Sequence, residues 1–281
     1  MPSYPIIDAH THIEGLPGSP WQDPPELMLR LMDEAGIAKA VVMTYCDAPL
    51  GPVTAEEELE ETLSGPHKPG CNCHRLPRGL VADGYDPLQY VREACQRYPE
   101  RLIGFARLNP GKDEACDLLA QAVGEWGFRG LKLHPFGYRI PPDHECTLKL
   151  MRKAAQLSVP ALFHCGDEEY TLPLQLERAA RAVPECQIIF GHMGGYFHVR
   201  DAIEVAKRCP NVYLETSATP HVNLIREAIE LLGPERVIYA SDGPGCDPTI
   251  EVKKVEMIGL GEADAQRVFS ANILRLMGVE G

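Results

Sequence analysis

Residues 8–15 read DAHTHIEG, overlapping the end of a short apolar run that starts at Pro5 and reaches Ala9. Such a run predicts a strand, and the residues just after it separate two ways of building a parallel sheet. A doubly wound open sheet places a glycine-rich phosphate turn, GxGxxG, after its first strand. DAHTHIEG contains no such turn. Side chains along a strand repeat with period two, so His10 and His12 leave the backbone in the same direction at the C-terminal strand end. Two imidazoles so placed can share one cation. Closed barrels gather their chemistry at the C-terminal strand ends, so the stretch favours a barrel.

Outward from this stretch, strand-like runs alternate with helical ones. A helix is predicted over Pro25–Ala35, with prolines before its body and Gly36 after it, as helix-end chemistry prefers. Further runs are AKAVVMTY (38–45), RLIGFARL (101–108), FRGLKLHP (128–135), VPALFHCG (159–166), CQIIFGHMGG (186–195), NVYLETS (211–217) and RVIYASDGPG (236–245). Amphipathic stretches separate them, and the tail over 249–277 reads as two short helices. Strand and helix in this rhythm make βα units and a parallel sheet. A chain of 281 residues suits one barrel, which takes about 250. The expected fold is a single α/β domain over 1–281, a (β/α)8 TIM barrel. The rhythm breaks at 46–84, which holds AEEELEETL and GPHKPGCNCHRLPRG. A loop this long in a compact domain is expected to be a lid-like insertion after the second strand.

Composition narrows the partners. The formal net charge of −13 argues against a broad footprint for nucleic acid or an anionic membrane, while a small-molecule substrate remains open. No apolar run approaches the roughly 20 residues of a membrane span. MPSYPIIDAH lacks a basic and apolar leader, so a cytoplasmic protein is expected. The ten cysteines are then read as reduced thiols.

The other strand ends carry more chemistry: Arg107 on the third, Lys132 and His134 on the fourth, His164 on the fifth, His192 on the sixth and Asp242 on the eighth. Histidines with a carboxylate suit a catalytic divalent metal with an open position for water. Zinc is the first expectation, with Mn, Fe or Co compatible. Arg107 suits a substrate carboxylate or a structural ion pair. His134 is a substrate contact or orienting group, and Asp8 is expected to hydrogen-bond a ligand imidazole. From the insertion, His74, Arg75 or Arg78 can reach over the mouth. Tyr138, Tyr196, His198 and His221 stand just past strand ends. Cys71, Cys73 and His74 fall short of a closed zinc site, and Cys165 lacks a base to activate it.

With DAHTH, GLKLHP, FHCG, GHMGG, NVYLETS, YASDGP and the tail SANILRLMG, the chain resembles the amidohydrolase superfamily, in particular the amidohydrolase-2 group of aminocarboxymuconate-semialdehyde decarboxylase-like enzymes. The resemblance implies His10, His12, His164 and Asp242 as metal ligands. It implies His192 as an acid/base or polarising residue, or as a ligand in two-metal members. Lys132 either bridges a second metal, once carboxylated, or pairs with a substrate carboxylate. One metal and a homodimer are the expectation. The leading reading is hydrolysis of an amide, lactone or related carbonyl by a metal-activated water, with Asp242 moving the proton. The alternative is non-oxidative decarboxylation of a small unsaturated or aromatic acid. A non-catalytic metal-binding barrel is the rival of another class.

Overall fold

The computed structural model describes residues 3–15, 23–45 and 85–279. The expected insertion at 46–84, with His74, Arg75 and Arg78, lies outside these residues.

Among the described residues eight strand positions succeed one another. They are β1 Ile6–His12, β2 Ile37–Met43, β3 in two segments (Leu102–Gly104 and Ala106–Arg107), β4 Leu131–Leu133, β5 Ala161–His164, β6 Ile188–Gly191, β7 Val212–Glu215 and β8 Val237–Ile238. Each pairs in parallel with the next. The break in β3 is bridged: Phe105 N–H donates to Val42 O (3.1 Å) and Ala106 N–H to Gly130 O (2.8 Å). The ring closes between β1 and the end of β8. Ala9 N–H donates to Tyr239 O (3.3 Å), Asp242 N–H to His10 O (2.8 Å) and His12 N–H to Gly243 O (2.7 Å). A closed ring leaves no strand edge exposed. The same bonds place Asp242 beside the two histidines of β1.

A helix comes after every strand: α1 Pro25–Ala35, α2 Pro87–Arg97, α3 Ala115–Gly124, α4 Glu145–Gln156, α5 Pro173–Ala182, α6 Val199–Arg208, α7 Val222–Leu232 and α8 Pro248–Glu256. Their ends obey the chemistry of the sequence. Gly36 closes α1 in the left-handed region at φ 72°, with its N–H on Asp33 O and Met32 O. Asp86 caps the first amides of α2, and Asp247 those of α8. A last helical stretch runs from Glu262 to Met277, with a wider turn over Arg267–Ala271. The tail is thus one interrupted helix behind α8.

The core has two layers. Apolar side chains such as Val42, Phe128, Phe163, Phe190, Ile203 and Val237 fill the space between ring and helices. Inside the ring, Ile7, Ala9, Val41, Met43, Phe105, Leu162, Ile189 and Ile238 pack together. Ile273, Leu274, Leu276 and Met277 of the last helix join this inner cluster. Asn272 pins that helix, its side-chain amide donating to Pro234 O (2.7 Å) and Val237 O (2.8 Å) at the start of β8. With that end plugged, chemistry is left to the other end of the barrel.

Candidate active site

The register of β1 against β2 slips between Asp8 and Thr11. Past the slip, the rings of His10 and His12 lie 5.0 Å apart. His12 Nε2 is 3.1 Å and His10 Nε2 3.6 Å from Asp242 Oδ1. The other nitrogen of each ring is held by an acceptor. His10 Nδ1 donates to Glu215 Oε1 at 2.9 Å, and His12 Nδ1 to Thr44 O at 3.3 Å. Burial, with Lys132 and the neighbouring histidines, holds His10 well below the usual imidazole range. Burial also lowers His12, against the pull of Asp242. Neutral rings that donate from Nδ1 present lone pairs at Nε2. Two lone pairs and a carboxylate oxygen therefore face one another. Burial works to raise Asp242, but His192, His12 and Lys132 more than offset it, so its carboxyl stays below the usual range and charged.

This donor set fits a divalent cation. Ligands that each stand about 2.1 Å from one ion are about 3 to 3.5 Å apart. Acceptors that face one another in a buried pocket are satisfied by a positive charge between them. Lys132 supplies part of that charge, with Nζ 2.7 Å from His10 Nε2.

β6 delivers His192 into an unusual turn. His192, Met193, Gly194 and Gly195 all have positive φ (65°, 50°, 93° and 69°). This is the physical content of GHMGG: four left-handed residues in succession, two of them without a Cβ. Asp242 (φ 61°) and Ala218 (φ 53°) share the conformation. Left-handed non-glycine residues thus gather on the loops after β6, β7 and β8, as at many functional sites. Gly191 has a separate reason. A Cβ there would stand 2.8 Å from Phe163 O and 3.2 Å from Glu215 Oε1.

The hydrogen-bond order around His192 sets its tautomer. Ser217 Oγ donates to Glu215 Oε1 (2.9 Å), so it accepts from His192 Nδ1 (2.8 Å). His192 Nε2 is then an acceptor for His164 Nδ1, 3.1 Å away. Burial lowers the His192 imidazole, against the raising influence of Asp242. His164 lies one ring beyond the His10–His12–Asp242 group. Its ring centroid is 4.6 Å from that of His192, and its Nε2 is 2.9 Å from Glu168 Oε2.

Arg107 and Lys132 bring two cationic side chains into the buried floor of the mouth. Arg107 donates to Thr44 O (3.3 Å) and to His134 Nδ1 (3.1 Å). A guanidinium has only donors, so His134 Nδ1 accepts and the ring hydrogen sits on Nε2. His134, His164 and Glu168 also bring ligand atoms close together. That tautomer gives His134 no lone pair at Nε2 for a cation, and the His10–His12–Asp242 group is the better candidate for one. Above the floor opens a cavity of about 610 Å³. His164, His192 and Asp242 lie at its base, Phe136 and Phe197 on its walls, and Asp167, Glu168 and Glu169 at its acidic side.

Two features escaped the sequence reading. Glu215 is fully buried and accepts from His10 Nδ1, the His192 amide and the amide and hydroxyl of Ser217. It does what had been expected of Asp8. Asp8 Oδ1 instead accepts from the backbone amides of His10 and Ser241 (3.3 and 2.9 Å) and ties β1 to the end of β8. Phe136 and Phe197 are cavity walls, whereas Tyr196 and His221 pack edge to face on each other. Cys165 is buried with its thiol pushed far up by burial, which suits an inert core residue.

A family model described as Amidohydrolase matches residues 7–279. The chain belongs to the amidohydrolase family, in its amidohydrolase-2 group. No curated protein sequence matches it. Solved structures do. The 5-carboxyvanillate decarboxylase of Novosphingobium aromaticivorans, complexed with manganese and 4-hydroxy-3-methoxy-5-nitrobenzoic acid, is 16% identical, with 99% of this chain and 97% of that one covered at a TM-score of 0.71. The 2,6-dihydroxybenzoate decarboxylase from Rhizobium is 17% identical, with 99% and 100% covered at 0.68. A dihydroxybenzoic acid decarboxylase from a Polaromonas species, with bound manganese and 2-nitroresorcinol, is 18% identical, with 98% and 97% covered at 0.67. At these identities the likeness establishes the TIM-barrel fold of this amidohydrolase. The matches also correct the leading expectation about the reaction. Hydrolysis had been favoured, but these neighbours are decarboxylases. The physical reason is that a His/His/Asp cation site serves either reaction, so the ligand motifs carried no preference. Among the described residues no helix is long and apolar enough to cross a membrane.

Proposed function

We propose that this amidohydrolase-family protein is a metal-dependent, non-oxidative decarboxylase of a small aromatic carboxylic acid. The observation that carries the reading is the pairing of two halves of one mouth. A buried His10–His12–Asp242 donor group with Lys132 and Arg107 beside it forms the floor, and above it opens a cavity walled by Phe136 and Phe197. The decarboxylase neighbours support it.

His10, His12 and Asp242 would hold one divalent cation, and His164 would join them by exchanging its Nδ1 hydrogen bond to His192 for the cation. When bound, it supplies a fixed positive charge that anchors an anionic substrate. Zinc was the expectation from residue type, two of the neighbours contain manganese, and N/O ligation accepts either.

The side chains divide the remaining work. Lys132 and Arg107 draw a carboxylated ring into the mouth, Arg107 through the planar fork that suits a carboxylate. Phe136 and Phe197 flank the ring. Glu168 and Glu169 face its far side, where they accept hydrogen bonds from ring hydroxyls. Loss of CO₂ breaks the bond between ring carbon and carboxylate and leaves the electron pair on carbon. That carbon then takes one proton, so the balance is carboxylate plus proton giving CO₂ and the protonated ring. Asp242 and His192 are the catalytic residues: Asp242 exchanges a proton at its carboxylate, and His192, with its Nδ1–H held by Ser217, presents the Nε2 lone pair on the cavity side, where it takes up and returns one.

The test is CO₂ release by protein loaded in turn with zinc and manganese, over a panel of mono- and dicarboxylated phenols. One CO₂ per substrate consumed is expected, with the ring otherwise intact. Metal-loaded protein that binds these acids and releases no CO₂ would overturn the reading.

A further inference from the structure

The loop after β7, residues 216–219, touches His192 twice: Ser217 Oγ accepts from His192 Nδ1 (2.8 Å), and Thr219 Oγ1 donates to His192 O (2.7 Å). Between these contacts Ala218 lines the cavity with φ 53°, a conformation that an alanine does not hold unaided. What holds it comes from outside the ring. Lys254 Nζ, on α8, donates to Thr216 O (3.3 Å) and Thr219 O (2.8 Å). Glu251 Oε2, one helical turn earlier, accepts from Ala218 N–H (3.2 Å) and from Lys254 at 2.5 Å. Both side chains are buried.

A buried ion pair is a poor source of stability, since desolvation consumes most of its attraction and two apolar side chains pack as well. It does provide directed bonds. Here three of them grip the backbone of one four-residue loop at its start, middle and end. We infer that Lys254 and Glu251 are positioning residues: they lock loop 216–219 in its left-handed form, and the loop fixes the ring of His192. The chain of contact runs α8, loop 216–219, Ser217, His192. Neither Lys254 nor Glu251 is among the residues that line the cavity.

The inference rests on His192 acting in the proposed reaction, so its test has an arm that needs no turnover. Zinc-loaded protein carrying ¹⁵N-imidazole histidine reports the His192 nitrogens, assigned by their absence in His192→Gln. In wild type, Nδ1 carries the proton. In the double variant Lys254→Met/Glu251→Met, which removes all three loop bonds and leaves no charge unpaired, the His192 signals are expected to shift or broaden towards two exchanging tautomers. Glu251→Gln keeps an acceptor for Ala218 N–H and is expected to retain the wild-type pattern. In turnover, the double variant lowers kcat about tenfold to hundredfold with KM little changed. Its effect is non-additive with Ser217→Ala, because both act on one contact. Unchanged His192 resonances in a folded double variant overturn the inference. Shifted resonances in a protein whose wild type releases no CO₂ uphold it and overturn the reaction instead.

Discussion

Glu215 Oε1 gathers the hydrogen bonds that orient two histidines, through His10 Nδ1, the His192 amide and the Ser217 hydroxyl. Burial raises its carboxyl, and the neighbouring His192 with the bonds from Ser217 opposes that rise. With His10 Nδ1–H directed at this carboxylate, Nε2 must face Asp242. Glu215→Gln leaves the volume but turns one acceptor into a donor, so the His10 ring loses its fixed tautomer. We expect metal affinity to fall about 10–100-fold, the usual consequence of losing such an outer partner, measured by competition with a chelator. Unchanged affinity would remove Glu215 from the site. His192→Ala should behave oppositely, keeping most of the metal and losing most of the turnover. Metal content and CO₂ release on one preparation separate the two. At this scale the meeting of His10, His12 and Asp242 was legible, because residues of these types at strand ends are few and ordered. Glu215 was not. A glutamate in LETS looks like any strand-end residue, and its partner His10 is 205 positions away. Asp8 takes backbone amides instead of an imidazole, beside a register slip that the sequence does not announce.

Elements are tied to one another on the outer surface as well. Glu177 on α5 accepts from Arg181 of its own helix and from the forked guanidinium of Arg208 on α6. The bonds from Arg208, then those from Arg181, outweigh slight burial and push the Glu177 carboxyl down to about 2. A carboxyl lowered on folding adds stability that is fully present above its ordinary value near 4.5 and is lost as pH falls towards 2. Glu177→Gln should therefore lower the urea midpoint at neutral pH, and the gap from wild type should close between about pH 4.5 and 2. A gap that persists at pH 2 would show that the pair acts through packing instead of charge. The helices themselves were well legible, since proline at their starts and glycine after α1 mark their ends. The strands were legible as runs, but not the break of β3 at Phe105, because a gap of one residue does not disturb an apolar run.

The whole barrel separates its stabilising core from its chemistry. One end is filled by Ile273, Leu274, Leu276 and Met277, whereas the other collects lone pairs and a carboxylate that face one another. Two perturbations at these ends should therefore act independently. Ile273 is fully buried, and Ile273→Ala should cost about 2–5 kcal/mol through lost transfer energy and the cavity left behind. Metal removal acts at the mouth, where His10, His12 and Asp242 are left with Lys132 as the neighbouring positive charge. A ligand that binds the folded state at 1,000 times its Kd stabilises it by about 4 kcal/mol, and that is the size of the loss expected after chelation. In thermal melts each kcal/mol moves Tm by about 2–4 °C for a domain of roughly this size. Chelation should thus lower Tm by about 8–16 °C, and re-addition of zinc or manganese should restore it. Sites well apart with no shared partner add within about 0.5 kcal/mol, so the Tm decrement from Ile273→Ala should be the same with and without metal. Equal Tm values for chelated and reloaded protein would show that the donors at the mouth hold no stabilising ion. A decrement that changes with metal would show instead that the two ends of the barrel are coupled through the inner cluster that runs between them.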